Sequence, residues 1–376
     1  MLLGLAAATA ALLVTAVLTE FVRGLALRTG VLDRPGARKA HTTPTPHLGG
    51  VAVVVGTLGV ACSGPLTGLG AWMPGVGPLL VAGAAVAALG LVDDLRPLGP
   101  APRLLVETVA ATALVVGSGL GFLAGVLAVG WIVFVTNAFN LLDNSDGVLG
   151  TVGAVTALGL AVCAAVEMRY GLAALLCVLA AALSGFLLHN WHPARIFLGD
   201  CGSLFTGFVL ASAAVTLHAD ATAGRAAGGL LALTLVVTAD TALVTVSRRR
   251  AGRPLLQGGT DHTAHRLRRL GLTAHGAAVA LGAVALVSTL TGLLVHCGWL
   301  TPYAVVPLAL MATAACGGLL RVPVYAGQRE RAVAGRRAAK VARPLAVAPR
   351  AAEAARVAGT RPIVGMRRAR TGARRP

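Results

Sequence analysis

Residues 76–94 read VGPLLVAGAAVAALGLVDD, an uncharged apolar run that ends on two adjacent carboxylates. As a helix rising about 1.5 Å per residue, Val76–Val92 can roughly cross a hydrocarbon core of about 30 Å. The runs Gly117–Thr136 and Gly171–Leu188 also carry no charge. Runs of this length and composition predict membrane spans.

The whole chain has the composition of a polytopic membrane protein, with 56% hydrophobic and 12% charged residues among 376. We predict an all-α protein with eleven spans. They cover residues 2–22, 49–66, 76–92, 104–121, 122–138, 148–166, 171–189, 202–218, 226–246, 274–295 and 302–320. Residues 1–320 form the predicted transmembrane catalytic domain, and the basic residues 321–376 are predicted to be a disordered cytoplasmic tail.

The basic residues predict the orientation, because Lys and Arg concentrate in cytoplasmic loops. If alternate connections are cytoplasmic, all but two of the 32 Lys and Arg residues lie on one side, and the exceptions are Arg169 and Arg225. The N-terminus is then outside and the C-terminus inside.

The clusters of carboxylates lie on that same basic side. Asp93, Asp94, Asn140, Asp143 and Asp200 end or follow long uncharged runs. Polar groups at the ends of membrane helices are costly unless they serve a site, so the clustering predicts a catalytic centre. Topology and attraction to anionic lipid head groups explain the net charge of +18 more simply than nucleic-acid binding.

Two motifs supply oxygen donors. The pair Asp93-Asp94 suits a hard cation, or a phosphate held through one, although a solvated helix end is the competing interpretation. The stretch NAFNLLDNSDG at 137–147 adds amide and carboxylate oxygens suited to Mg²⁺ or Mn²⁺. An EF-hand is excluded because the stretch lacks alternating ligands and a closing glutamate.

Two further motifs suit phosphate groups. In NWHPARIFLGDCGS at 190–203, glycines flank Asp200, and Ser203 can begin the next helix as its N-cap, a position that favours anions. In GGTDHTAHRL at 258–267, His262 and His265 lie three residues apart in a basic loop that can grip a diphosphate. A zinc site there lacks an obvious third ligand, and topology alone can explain the neighbouring arginines.

In this order, the motifs resemble the polyprenyl-phosphate N-acetylhexosamine-1-phosphate transferases. The resemblance covers nearly all of residues 1–320, beginning with Lys39, His41 and the PTPHLGG segment. It implies a cytoplasmic-face, Mg²⁺-dependent site in a bacterial plasma membrane, with Mn²⁺ as the alternative ion. The implied substrates are a UDP-sugar, favoured to be UDP-GlcNAc, and a polyprenyl phosphate lipid, and the products are UMP and a polyprenyl-diphosphate sugar.

The resemblance also implies roles for individual residues. Asn140 and Asp200 would contact the metal ion, and the other catalytic residues would be Asp93, Asp94, Arg103, Asp143 and Asp146. The substrate-binding residues would be Lys39, His41, Asn137, Asn190, Arg195, Ser203, His262, His265 and Arg266. Where the family usually has Lys and Gln, this chain has Arg103 and Glu107.

Three alternatives stay open. The donor could be the UDP-linked muramoyl pentapeptide of peptidoglycan synthesis, and a covalent aspartyl intermediate could replace direct attack by the lipid phosphate. A secondary transporter would also have many spans and buried acids, but it would place them near the bilayer midplane. The remaining expected partners are anionic lipids at the basic tail and a second copy of the chain in a homodimer.

Overall fold

The computed structural model describes residues 2–33, 43–66, 76–255 and 259–325. Helices make up most of this part. The first half contains α1 Leu2–Thr29, α2 Gly49–Leu66, α3 Val76–Leu95, α4 Pro100–Val116, α5 Phe122–Leu142, α6 Val148–Val166 and α7 Tyr170–Asn190. The second half contains α8 Gly199–Leu217, α9 Ala223–Leu233, α10 Leu235–Arg250, α11 Thr263–Arg269, α12 Ala274–His296 and α13 Val305–Leu319.

Two short strands and one 3₁₀ helix, Pro302–Ala304, complete the described secondary structure. Strand β1 is Leu32–Asp33 and strand β2 is Thr45–Pro46, and they pair antiparallel with Leu32 opposite Pro46. The predicted substrate-binding residues Lys39 and His41 fall between these strands and lie outside the described residues. Only Tyr325 of the predicted tail beyond Val324 is described.

The helices confirm an all-α polytopic membrane protein. By length and composition, eight described helices are able to cross a membrane, or nine if α9 and α10 count as one span. Two of the predicted spans form helices that are not among these eight. Helix α2 is apolar but shorter, and α4 is both short and partly polar, since it contains Arg103 and Glu107. Helix α4 ends at Val116 because Gly117, Ser118 and Gly119 follow it, and Gly119 has a positive φ of 77°.

The predicted span over 226–246 is broken into two helices in the structure. Helices α9 and α10 meet at an angle of 75°. The break falls at Thr234, whose hydroxyl donates a hydrogen bond to the carbonyl of Leu230 at 2.7 Å. Such a bond from a threonine to the preceding helical turn competes with the backbone ladder and favours bending.

Helix α8 is the central helix of the described bundle. Every residue from Cys201 to Val215 is buried, as expected for a helix that is apolar on all sides. Helices α3 and α5 pack along it. Since Gly90 has no side chain, α3 comes so close that a Cβ atom there would lie 2.5 Å from the carbonyl oxygen of Asp200. This contact brings the carboxyl end of α3 to the start of α8.

Candidate active site

Arg103 joins the two ends that α3 and α8 bring together. Its Nη1 donates to Oδ2 of Asp93 at 2.8 Å and to Oδ2 of Asp200 at 3.2 Å. Its Nη2 donates to Oδ1 of Asn140 at 3.0 Å. Oxygen atoms from α3, α5 and α8 therefore converge on one cationic side chain from the first turn of α4.

Asn140 holds the start of α8 from the other side. Its Nδ2 donates to Oδ1 of Asp200 at 2.6 Å and to Oγ of Ser203 at 2.8 Å. Ser203 in turn donates to the carbonyl of Gly199 at 2.9 Å. Because α8 begins at Gly199, Ser203 lies inside the helix, and the prediction that it is the N-cap was wrong.

Asp94 caps α8 from outside the helix. Its two carboxylate oxygens accept hydrogen bonds from the backbone N–H groups of Asp200 at 2.8 Å and Cys201 at 3.0 Å. A carboxylate in this position satisfies free N–H groups and opposes the positive end of the helix dipole. Gly199, with φ of 76°, permits the approach, because a Cβ atom there would lie 2.8 Å from both Asp94 oxygens.

Asp93 and Asp143 complete the acidic end. The Oδ1 atom of Asp93 accepts from the backbone N–H of Leu98, so both of its oxygens are engaged. Asp143 follows the last residue of α5. Desolvation, together with the nearby carboxylates of Asp200 and Asp94, raises the pKa of Asp143 to about 7. The acidic end thus gathers more carboxyl groups than Arg103 alone can pair with.

The donor set fits a hard divalent cation. Two carboxylates and one amide oxygen already converge on a single positive group, and Mg²⁺ prefers such oxygen ligands. Among the residues that the structure describes, no group of three or more His, Cys, Asp or Glu side chains is arranged to hold a metal ion. The predicted pair Asn140 and Asp200 lies in direct hydrogen-bond contact.

A second polar cluster holds the predicted diphosphate loop to α10. Nδ1 of His262 donates to Oδ2 of Asp240 at 2.8 Å, and the backbone N–H of Thr263 donates to Oδ1 at 2.7 Å. Arg248 makes a two-pronged bond with Asp261, with both distances 2.9 Å. The side chains of these two pairs, His262 with Asp240 and Arg248 with Asp261, are all buried. Thr263 contributes only its backbone N–H. The candidate residues named from the sequence did not include Arg248 and Asp261, since topology already explained the arginine.

His265 links this loop to the turn that follows α5. Its Nε2 lies 3.0 Å from the carbonyl oxygen of Asn144. A carbonyl only accepts, so Nε2 carries the proton in the neutral ring. Burial, with the charges of His262 and Arg268 nearby, lowers the pKa of His265 to about 4. The structure thus brings the motif at 258–267 to the end of the bundle where the motif at 137–147 lies.

Three other predicted residues make structural contacts. Asn137 donates to Glu107, whose side chain is fully buried. Asn190 accepts from the backbone of Gly147 at 2.9 Å and donates to the carbonyl of Ile196 at 3.0 Å. Asp146 accepts from the backbone of Ala194 at 3.1 Å and lies 2.7 Å from Nδ1 of His192, a partner that the sequence did not indicate.

Arg195 and Arg266 differ in environment. Arg195 is exposed, and its charge acts on His189 and on Glu20 of α1 rather than on the oxygen cluster described above. Arg266 is buried, and its guanidinium donates to the carbonyls of Asp261, Leu319 and Val322 and to the hydroxyl of Ser247. Substrate binding by either arginine stays a prediction.

The sequence of this chain is similar to those of known proteins. The model of glycosyl transferase family 4 matches residues 77–218, which contain Asp93, Asp94, Arg103, Asn140 and Asp200. A Streptomyces coelicolor protein named as a glycosyltransferase is 52% identical over 97% of this chain and 86% of its own length.

Two relatives with more specific names are also similar. A decaprenyl-phosphate N-acetylglucosaminephosphotransferase of Mycobacterium tuberculosis is 33% identical over 69% of this chain and 75% of its own. A phospho-N-acetylmuramoyl-pentapeptide-transferase of Thermosynechococcus vestitus is 33% identical over 51% of this chain and 58% of its own. The extent of the matches to the Streptomyces coelicolor and Mycobacterium tuberculosis proteins assigns the chain: it belongs to glycosyl transferase family 4.

Proposed function

We propose that this protein transfers N-acetylglucosamine 1-phosphate from UDP-GlcNAc to a polyprenyl phosphate, giving UMP and a polyprenyl-diphosphate sugar. One observation carries the proposal. The oxygens of Asp93, Asn140 and Asp200 converge on a single guanidinium, that of Arg103, at the end of the bundle. Phosphoryl transfer depends mainly on positioning and charge neutralisation, and this cluster is built for both.

Magnesium is the proposed cofactor, with Mn²⁺ as the alternative. Asn140 and Asp200 would hold the ion, and Asp93 lies close enough to share in positioning it. When bound, the ion would neutralise the oxygens of the donor diphosphate. Arg103 supplies a second positive group in the same cluster and would pair with a phosphate.

Direct attack by the lipid phosphate is the favoured step. A phosphate monoester has a second pKa of about 6, so the acceptor is largely a dianion at neutral pH. Its oxygen would bond to the β-phosphorus of the donor, while the bond from that phosphorus to the bridging oxygen breaks and UMP departs. Both oxygens of Asp93 accept hydrogen bonds, which favours a positioning role over nucleophilic attack.

The donor is proposed from the relatives. The matching N-acetylglucosaminephosphotransferase of M. tuberculosis aligns with a larger share of this chain than the matching pentapeptide transferase does. Membership of a glycosyl transferase family argues against a secondary transporter. The basic loop with His262 and His265 would contact the donor diphosphate, as its position beside the turn at Asn144 allows.

The location follows from the charge pattern. We propose that this multi-pass protein lies in a bacterial plasma membrane, with the N-terminus outside and the active site on the cytoplasmic face. The basic residues beyond Arg321 would bind anionic lipids. A homodimer is compatible with this arrangement.

A transfer assay tests the proposal. Purified protein in detergent receives Mg²⁺, a polyprenyl phosphate and sugar-labelled UDP-GlcNAc, or in parallel the UDP-linked muramoyl pentapeptide. We expect lipid-extractable label and released UMP with UDP-GlcNAc only. Transfer from the pentapeptide donor alone would replace the proposed substrate, and no transfer from either donor would refute the reaction.

A further inference from the structure

Arg266 is a buried arginine whose hydrogen bonds stay within the protein. Its Nε donates to the carbonyl of Asp261 at 2.8 Å, and its Nη2 donates to Oγ of Ser247 at 2.5 Å. Its Nη1 donates to the carbonyls of Leu319 at 2.8 Å and Val322 at 3.1 Å. A guanidinium has five N–H donors, and these bonds use four of them.

Two of these acceptors lie at the end of α13 or just beyond it. Leu319 is its last residue, and the carbonyls of a last helical turn lack partners within the helix. Arg269, one turn after Arg266 on α11, donates to the carbonyls of Pro323 and Val324. Val324 is itself buried. The segment Leu319–Val324, called here the C-terminal strap, is therefore bound to α11 along its length.

The strap is connected to the candidate site through α11. That helix follows directly on His262, which is bonded to Asp240, and it carries His265, which is bonded to the carbonyl of Asn144. Asn144 lies in the turn after α5, the helix that presents Asn140. A displacement of Arg266 would thus act on the loop and on the turn beside the oxygen cluster.

We propose that Arg266 is a positioning residue and that the strap Leu319–Val324 is part of the active site's support: the strap fixes Arg266, and Arg266 fixes the loop that receives the donor diphosphate. The inference rests on the proposed function, since it concerns affinity for UDP-GlcNAc. The proposed role belongs to the strap alone and does not require residues 326–376.

Two truncations test the role of the strap. A chain ending at Tyr325 keeps it, whereas a chain ending at Leu320 loses the acceptors at Val322, Pro323 and Val324. We expect the longer chain to match the full protein, and the shorter one to show a KM for UDP-GlcNAc raised by about fivefold to tenfold with kcat changed less. Equal KM values for both truncations would overturn the proposal.

Point variants decide the matter if the shorter chain fails to fold. Arg269→Ala removes only the bonds to Pro323 and Val324 and should raise the same KM. The control is Arg268→Ala, which removes the same charge from an exposed neighbour on α11 for which the structure describes no hydrogen bond to the strap. Equal effects of the two variants would assign the result to charge alone and would contradict the proposal.

A double-mutant cycle separates positioning from direct binding of the donor by Arg266. If Arg266 acts through the strap, Arg266→Lys should raise the KM for UDP-GlcNAc less in the chain ending at Leu320 than in the chain ending at Tyr325. An equal increase in both chains would mean that Arg266 acts independently of the strap, which would overturn the inference. Activity of the unmutated chain is measured in the same series, so failure of the proposed reaction is recognised separately.

Discussion

The Nη1 atom of Arg103 lies 2.8 Å from Oδ2 of Asp93, and this ion pair joins the first turn of α4 to the last turn of α3. The same nitrogen reaches Asp200 at 3.2 Å. One side chain therefore neutralises carboxylates from two helices that are far apart in sequence, and the chemistry of the site depends on how this charge is balanced.

The oxygen ligands are tested by Asp200→Asn and Asn140→Ala. Each change removes an oxygen or a charge where a cation would be held, so we expect each to reduce kcat by at least about a hundredfold. Asp220→Asn is the matched control, because Asp220 is an almost fully exposed carboxylate at the opposite end of α8. Normal turnover in either site variant, with Asp220→Asn also normal, would contradict the metal assignment.

Arg103 is tested by two substitutions of different severity. Arg103→Lys keeps the charge but not the planar fork that spans Asp93 and Asn140, so we expect activity to fall by about tenfold or less. Arg103→Ala leaves the carboxylates unbalanced and should cost about a hundredfold or more. Steady-state kinetics measures both, and Arg96→Ala, an exposed arginine in the same connection, should leave activity unchanged.

Close packing of α2 against α8 is tested by two glycines on α2. A Cβ atom at Gly50 would lie 2.1 Å from the backbone nitrogen of Gly202, so Gly50→Ala should cost about 1–3 kcal/mol of stability. At Gly59 a Cβ atom would meet no atom within 4 Å, and Gly59→Ala should be neutral or slightly stabilising. Thermal unfolding in detergent compares them, and equal melting temperatures would show that the close contact is absent.

His265 makes stability depend on pH in a defined direction. In the folded protein the ring stays neutral down to about pH 4, whereas in the unfolded chain it takes up a proton below about 6.5. The unfolded state therefore binds more protons between these values, and stability should fall as pH falls through this window. Above pH 7 this contribution is constant.

The variant His265→Gln isolates that contribution. Glutamine stays neutral at every pH in the window and can still donate to the carbonyl of Asn144. Melting temperatures at pH 5 and pH 7.5 should differ more for the unmodified protein than for the variant. The same pH dependence in both proteins would show that His265 does not carry it.

The sequence predicted the helical architecture and the gathering of polar helix ends because both follow from local patterns. Uncharged runs locate most helices, and polar residues such as Asp93 and Asn140 at their ends indicate a shared face. The break at Thr234 was missed, since hydropathy averages over the residues that bend. Ser203 was misplaced because α8 begins at Gly199, where Asp94 rather than a local side chain caps it.

Long-range pairings account for what the sequence left out. The local sequence does not distinguish Arg248 from the other arginines of the loop and does not indicate that it pairs with Asp261. Their buried ion pair depends on how α10 packs beside the loop. The contact of His265 with the carbonyl of Asn144 likewise joins residues separated by 121 positions. Such pairings require the three-dimensional packing of the helices.

The position of a phosphorus label tests the central claim most directly. UDP-GlcNAc is labelled with radioactive phosphorus at either the α or the β position and incubated with the purified protein, Mg²⁺ and a polyprenyl phosphate. The account predicts that the β label enters the lipid fraction while the α label leaves in UMP. Recovery of both labels in UDP, with only the sugar on the lipid, would contradict it.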